Sequence, residues 1–135
     1  MVKDDCIFCK LANGVIPTNT VYEDEDFRVF LDVAPATKGH CLIVPKNHFS
    51  DLSELDDETG AKVLPLAGRM MKRLKEKLGC EGLNLVQNNG ELAGQTVFHF
   101  HLHVIPRYKD DGQNINWKPL SPSDDELKEL KSEIV

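Results

Sequence analysis

Apolar and polar residues alternate most strictly over Phe98-His99-Phe100-His101-Leu102-His103-Val104-Ile105. Successive side chains of a β-strand point to opposite faces. The pattern therefore predicts a strand with His99, His101 and His103 on one face and Phe98, Phe100, Leu102 and Val104 on the other. No helix explains it, because residues two apart on a helix do not share a face. The strand is expected to stop at Pro106 and to pack its apolar face against the longest helix.

Residues 5–13 carry Ile7, Phe8 and Leu11 in a short helical pattern closed by Asn13-Gly14, and Pro17 opposes a restart. Residues 20–23 and 27–31 read as strands joined by a hairpin at the acidic Glu23-Asp24-Glu25-Asp26. Residues 40–45 form a third strand, whose apolar run Cys41-Leu42-Ile43-Val44 marks it as central. Val63, Ala67, Met70, Leu74 and Leu78 form a stripe at spacings of three and four, which predicts a long helix over 56–78. Acidic residues at its start, basic ones at its end and Gly79 beyond it fit the helix dipole and a glycine stop. Pro65 predicts a kink or a later start. Residues 82–87 read as a strand. Residues 109–120 read as irregular, and 123–134 as a helix with Ser123 and Glu126 in capping-box positions.

The 135 residues suit one domain, a core over about 4–108 and a tail over 109–135. No apolar run reaches the ~18 residues of a membrane span, and Met1-Val2-Lys3-Asp4-Asp5 lacks a signal-peptide core. The expected location is cytoplasmic. A net charge of −6 argues against bulk binding of nucleic acid, which needs a basic surface. An anionic ligand would need a local pocket.

The histidines carry the chemistry. Same-face neighbours on a strand lie about 6.7 Å apart, which puts His99 and His103 about 13 Å apart at the backbone. One shared atom is then out of reach of all three, so their roles differ. Neutral imidazole is a nucleophile toward phosphorus or acyl carbon, and a neighbour can supply a proton to a leaving group. His101 as nucleophile and His103 as acid/base or phosphate ligand is chemically consistent. Asn88, Gln95, Thr96 and backbone N–H groups of 94–97 offer donors to phosphate oxygens. The bland alternative is the polar face of an edge strand. Another is metal binding, since His-x-His on a strand chelates zinc. Cys6 and Cys9 have the Cys-x2-Cys spacing of a tetrahedral zinc knuckle. Such a site needs two more ligands, with His40, His48 and the three alternating histidines as candidates. Cys41 and Cys80 are expected as buried bystander thiols.

His99-Phe100-His101-Leu102-His103-Val104-Ile105 resembles the His-φ-His-φ-His-φ-φ signature of the histidine triad (HIT) family, φ being apolar. Asn88-Asn89-Gly90 and Gly94-Gln95-Thr96-Val97 resemble its phosphate loop. Lys38-Gly39-His40, Pro45-Lys46-Asn47-His48 and Cys6-Ile7-Phe8-Cys9-Lys10 resemble its N-terminal half, in the Hint-like branch with a cysteine pair. The resemblance covers about residues 4–108. It implies an α+β fold, a five-stranded antiparallel sheet with one long helix, and a homodimer. It implies hydrolysis or transfer of nucleoside 5′-monophosphate derivatives: adenosine phosphoramidate, aminoacyl adenylate or dinucleoside polyphosphate. A covalent nucleotidyl-histidine would form and AMP or GMP be released.

By position the resemblance makes His101 the nucleophile, gives His103 the phosphate and leaving group, and has His99 support His101 through a backbone carbonyl or a metal. It gives Asn88, Thr96 and Val97 the phosphate, Asp32 the ribose hydroxyls, and Ile7, Phe8, Leu11, Phe30 and Val33 the purine base. Thr96 stands where the family often has serine. The implied zinc ligands are Cys6, Cys9, His48 and His99. A four-ligand set leaves no open position, so the Zn2+ would be structural and not needed for the chemistry. His40 is left over, near the phosphate site. Two functions compete with the covalent hydrolase: a zinc hydrolase with triad histidines on a catalytic metal, and a nucleotide-binding adaptor with little turnover.

Overall fold

The computed structural model describes all residues, Met1–Val135. Strands β1 (Thr20–Glu23) and β2 (Phe27–Leu31) form a hairpin. Its turn is closed by Asp24, whose Oδ1 accepts the N–H groups of Asp26 and Phe27, each at 2.8 Å. An aspartate that bonds the backbone two and three residues on is a local turn device. Strand β3 (Cys41–Pro45) is buried at every residue and lies in the middle of the sheet. With β4 (Gly82–Val86) and β5 (Leu102–Arg107) the order is β1-β2-β3-β5-β4, antiparallel throughout.

Alternation along the strands divides the interior in two. Val29, Cys41, Ile43, Leu102 and Val104 turn toward the long helix α2 (Asp57–Leu78), which buries Val63, Leu66, Ala67, Met70 and Leu74 against them. Phe30, Leu42 and Val44 turn the other way, onto the short helix α1 (Ile7–Ala12), where Ala12, Phe8 and Leu11 meet them. The second face carries the candidate site. Helix α2 is capped by the Asp56 side chain, which accepts the Thr59 N–H at 2.7 Å, and ends on Gly79 at φ 69°. It runs through Pro65 and starts at Asp57, so the later start does not occur. Pro65 and Ala61, whose carbonyl it leaves without an intrahelical partner, both lie on the exposed side. The C-terminal helix α3 (Asp124–Ile134) has its Ser123–Glu126 capping box and buries none of its residues. No helix is long and apolar enough to cross a membrane.

The strand expected over 98–105 begins only at Leu102. Residues 97–99 bend, and Phe98 is 52% exposed instead of packing under α2. The Phe100 N–H leaves the sheet ladder and donates to the Phe49 carbonyl at 2.6 Å. At the other end β5 passes through Pro106 to Arg107. Pairing with β3 ends at Val104, so the missing N–H of Pro106 breaks no ladder bond there; its carbonyl accepts the Thr37 hydroxyl at 2.6 Å.

Gly39 precedes β3 at φ 89°, where a Cβ would lie 2.5 Å from Leu78 Cδ1 and 3.4 Å from Pro106 Cγ. A side chain there adds both backbone strain and overpacking at the end of α2. Gly39→Ala is expected to cost about 1–3 kcal/mol, read as a melting temperature lower by several degrees. An unchanged melting curve would contradict the packing described.

Candidate active site and metal cluster

A cavity of about 790 Å³ opens on the α1 side of the sheet. Its walls are apolar at Phe8, Leu11, Phe30 and Leu42, and polar at Asp32, Asn88, Thr96, His101 and His103. Val33, 93% exposed, stands at the rim, and Val97 completes the wall opposite. A flat apolar slot with a few converging polar groups is the usual form of a small-molecule site.

His101 is buried, with the edge of Phe8 against it at a ring-centroid distance of 4.8 Å. Its Nδ1 lies 2.7 Å from the His99 carbonyl oxygen. A carbonyl only accepts, so Nδ1 carries the proton and Nε2 keeps its lone pair. Burial pushes the His101 pKa below the ordinary imidazole value, against the opposing pull of the His99 carbonyl and the Asp32 carboxylate. The ring is thus held neutral and in one tautomer.

His103 lies beside it, with ring centroids 5.0 Å apart. A second tautomer chain reaches it from behind. The Ala36 N–H donates to His40 Nδ1 at 2.9 Å, so His40 carries its proton on Nε2. His40 Nε2 is 3.0 Å from His103 Nδ1 and 3.5 Å from Asp32 Oδ2. Donation to His103 Nδ1 leaves the His103 proton on Nε2. Burial, then the neighbouring His101 and His40, lower the His103 pKa to about 4. The pair is therefore neutral, with an acceptor nitrogen on His101 and a donor nitrogen on His103. Asp32, His40 and His103 cluster closely enough for a metal. However, a ligating histidine must present a lone pair, and His40 presents a proton.

Cys6, Cys9, His48 and His99 form a different kind of cluster, with all ligand atoms within 4.8 Å of one another. His99 Nδ1 is 3.4 Å from each sulfur, and His48 Nδ1 is 3.5 Å from Cys9 Sγ. Tetrahedral zinc bonded at about 2.3 Å to sulfur and ~2.0–2.1 Å to nitrogen sets S···N edges of about 3.5 Å. His99 Nε2 donates to the Pro45 carbonyl at 2.8 Å, which leaves Nδ1 its lone pair toward the sulfurs. That outer bond is the support expected behind a metal-bound histidine. The donor set fits Zn2+: two sulfurs, two nitrogens and no open position.

Two of the expected nucleotide contacts are not among the cavity walls. Ile7 is 47% exposed and lies outside the cavity, on an adjoining groove beside Cys6 and His48. Of the residues of α1, Phe8 and Leu11 face the cavity. Gln95 is buried and spends its amide within the loop: Oε1 accepts the Gly90 N–H at 2.8 Å, and Nε2 donates to Ser50 at 2.7 Å and Val97 at 3.1 Å. It shapes the loop and does not face the cavity. Gly94, at φ 101°, brings the backbone within reach of the Asn88 amide, where a Cβ would stand 3.5 Å from Nδ2. His40 enters the site more firmly than its sequence position suggests, and Leu42 and residues 16–19 add walls with no sequence signal.

The HIT domain model matches residues 13–110. The adenosine 5′-monophosphoramidase of Schizosaccharomyces pombe is 41% identical, over 96% of this chain and 95% of its own. A HIT family protein from Bacillus anthracis of solved structure superposes with a TM-score of 0.89 at 42% identity, covering 97% of this chain and 95% of the other. A Zn-bound histidine triad family protein from Mycobacterium smegmatis superposes with a TM-score of 0.78 at 36% identity, over 96% and 97%. The chain belongs to the HIT family.

Proposed function

We propose that this chain hydrolyses nucleoside 5′-monophosphate derivatives through a covalent nucleotidyl-His101. The observation that carries the reading is the 2.7 Å bond from His101 Nδ1–H to the His99 carbonyl, which turns a neutral Nε2 lone pair to the cavity. The purine ring fits between Phe8, Leu11 and Phe30, with Val33 at the mouth. Asp32 accepts the ribose hydroxyls. Asn88, the Thr96 hydroxyl and the Val97 N–H donate to the phosphate oxygens. His101 Nε2 attacks the α-phosphorus and the bond to the leaving group breaks. His103 Nε2–H donates to the phosphate and leaving group as negative charge develops. Water then attacks the phosphorus, the P–N bond to His101 breaks, and AMP or GMP leaves. Phosphoramidates, aminoacyl adenylates and dinucleoside polyphosphates share the required α-phosphorus.

Cys6, Cys9, His48 and His99 would hold Zn2+, whose role is to anchor α1 and the His99 backbone. A domain over about 4–108 with a tail over 109–135, and a homodimer, belong to the same reading. The sheet has two edges, β1 and β4; β4, with Leu85 43% exposed, is the one this reading gives to a second copy.

The test is AMP release from adenosine 5′-phosphoramidate, followed against pH. The attacking form is neutral, and burial holds the His101 pKa below 6.5. kcat/KM should stay level as pH falls from 8 to about 6.5 and decline only below that. A half-loss already above pH 6.5, or no AMP release, would contradict the assignment.

A further inference from the structure

We propose that Cys6 and Cys9 are a hydroperoxide-oxidisable dithiol whose disulfide form expels the metal and disables His101. The inference rests on the reading above for its zinc and activity arms.

Cys6 is half-buried and Cys9 buried. Cys6 lines a groove of about 400 Å³ together with Lys3, Asp5, His48, Ser50 and Phe98; the groove adjoins the nucleotide cavity at Thr96 and Val97 but does not include the nucleobase walls Phe8 and Leu11. A small peroxide therefore has a route to one sulfur that does not pass through the nucleotide cavity. The two sulfurs already lie within 4.8 Å of each other. A disulfide needs about 2.05 Å, a closure within reach of side-chain rotation from residues three apart.

The chemistry balances. Cys6 thiolate attacks the distal oxygen of the hydroperoxide; the O–O bond breaks, and one proton completes the alcohol or water that leaves. The Cys9 thiolate then attacks the Cys6 sulfenic sulfur; the S–O bond breaks, and a second proton completes the water released. The sulfur pair loses two electrons and the peroxide gains two. Both sulfurs have then given up the charge that held the cation.

The consequence for the site runs through one residue. His99 meets the cysteine cluster with Nδ1, the Pro45 carbonyl with Nε2 and the nucleophile with its backbone oxygen. Phe8, between the two cysteines in the chain, packs on His99 and His101 at ring-centroid distances of 6.1 and 4.8 Å. Releasing the cluster frees both the carbonyl that fixes the His101 tautomer and the ring that walls it in. The other two thiols are poor competitors. Cys41 and Cys80 are buried in the core under α2, and burial pushes the Cys41 pKa up to about 12, far from the reactive thiolate.

The experiment uses the full-length, reduced, zinc-loaded chain treated with hydrogen peroxide. Three readouts are taken together: intact mass with peptide mapping, zinc released to a colorimetric chelator, and AMP release from adenosine 5′-phosphoramidate. The expected result is a loss of two hydrogens mapped to a Cys6–Cys9 bridge, one zinc released per bridge, and at least a tenfold fall in turnover. Dithiothreitol plus zinc should restore all three. Several results overturn the proposal: a reduced chain that takes up no zinc, oxidation mapped first to Cys41 or Cys80, or higher oxides without a bridge. Bridge formation with unchanged turnover also overturns it. If the reduced, loaded chain releases no AMP at all, the hydrolase reading fails, and mass and zinc still decide the dithiol.

Discussion

His101→Ala is expected to abolish AMP release from adenosine 5′-phosphoramidate, by about four orders of magnitude or more in kcat. The size follows from what is lost. No other side chain presents a neutral nitrogen lone pair to the cavity in a fixed tautomer, because His103 and His40 are wired as donors from the Ala36 N–H outward. Water attacking directly would have to replace both the nucleophile and its positioning. The fold should not suffer, since alanine leaves the His99 carbonyl beside the open cavity where water can reach it. The variant should therefore melt near the wild type and still bind AMP. Turnover within about tenfold of the wild type in His101→Ala would sink the covalent route.

The second large effect is expected on removing Zn2+ from the chain loaded at Cys6, Cys9, His48 and His99. Stripping zinc with a strong chelator under reducing conditions should lower the melting temperature by roughly 10 °C or more, on the order of 3 kcal/mol for a chain of this size. Cys9→Ser should do much the same. Helix α1 has six residues and is too short to persist alone. Besides the cluster it is held by few groups: Asn13 Nδ2 to the Cys9 and Lys46 carbonyls at 2.8 and 2.9 Å, Arg28 Nη1 to the Leu11 carbonyl at 3.2 Å, and Phe8, Leu11 and Ala12 on the second core. Turnover should fall with loss of order at α1. Loss of turnover with an unchanged melting temperature would instead place the zinc in the chemistry.

The parts of the fold that local pattern encodes were legible in the sequence. The stripe from Val63 to Leu74 gave α2, the continuous apolar run gave the central β3, and Ser123 with Glu126 gave the start of α3. The triad signature pointed to His101 and His103 beside one cavity, and the cysteine pair with His48 and His99 to one cluster. What strict alternation misreported was the backbone before Leu102. There the Phe100 N–H bonds Phe49, and His99 turns away to the sulfurs, so the three imidazoles never share a strand face. These are contacts to residues some 50 and 90 positions away, which no local period encodes. Gln95 and Ile7 lie outside the cavity walls for a related reason: a loop glutamine looks the same whether it serves a ligand or its own loop, and an exposed isoleucine looks like a buried one. His40 lacked a motif of its own. Its importance rests on a backbone N–H at Ala36 that fixes the proton on the far nitrogen.

The proposed chemistry turns on transfer of the adenylyl group to His101 Nε2. Rapid quench of the wild type with adenosine 5′-phosphoramidate, followed by peptide mapping under conditions that preserve phosphoramidate bonds, tests it most directly. The expected result is an adenylyl group on the peptide containing His101, localised to that ring, which forms and decays at the turnover rate and is absent in His101→Ala. AMP release with no adduct, or an adduct on His99 or His103, would contradict it.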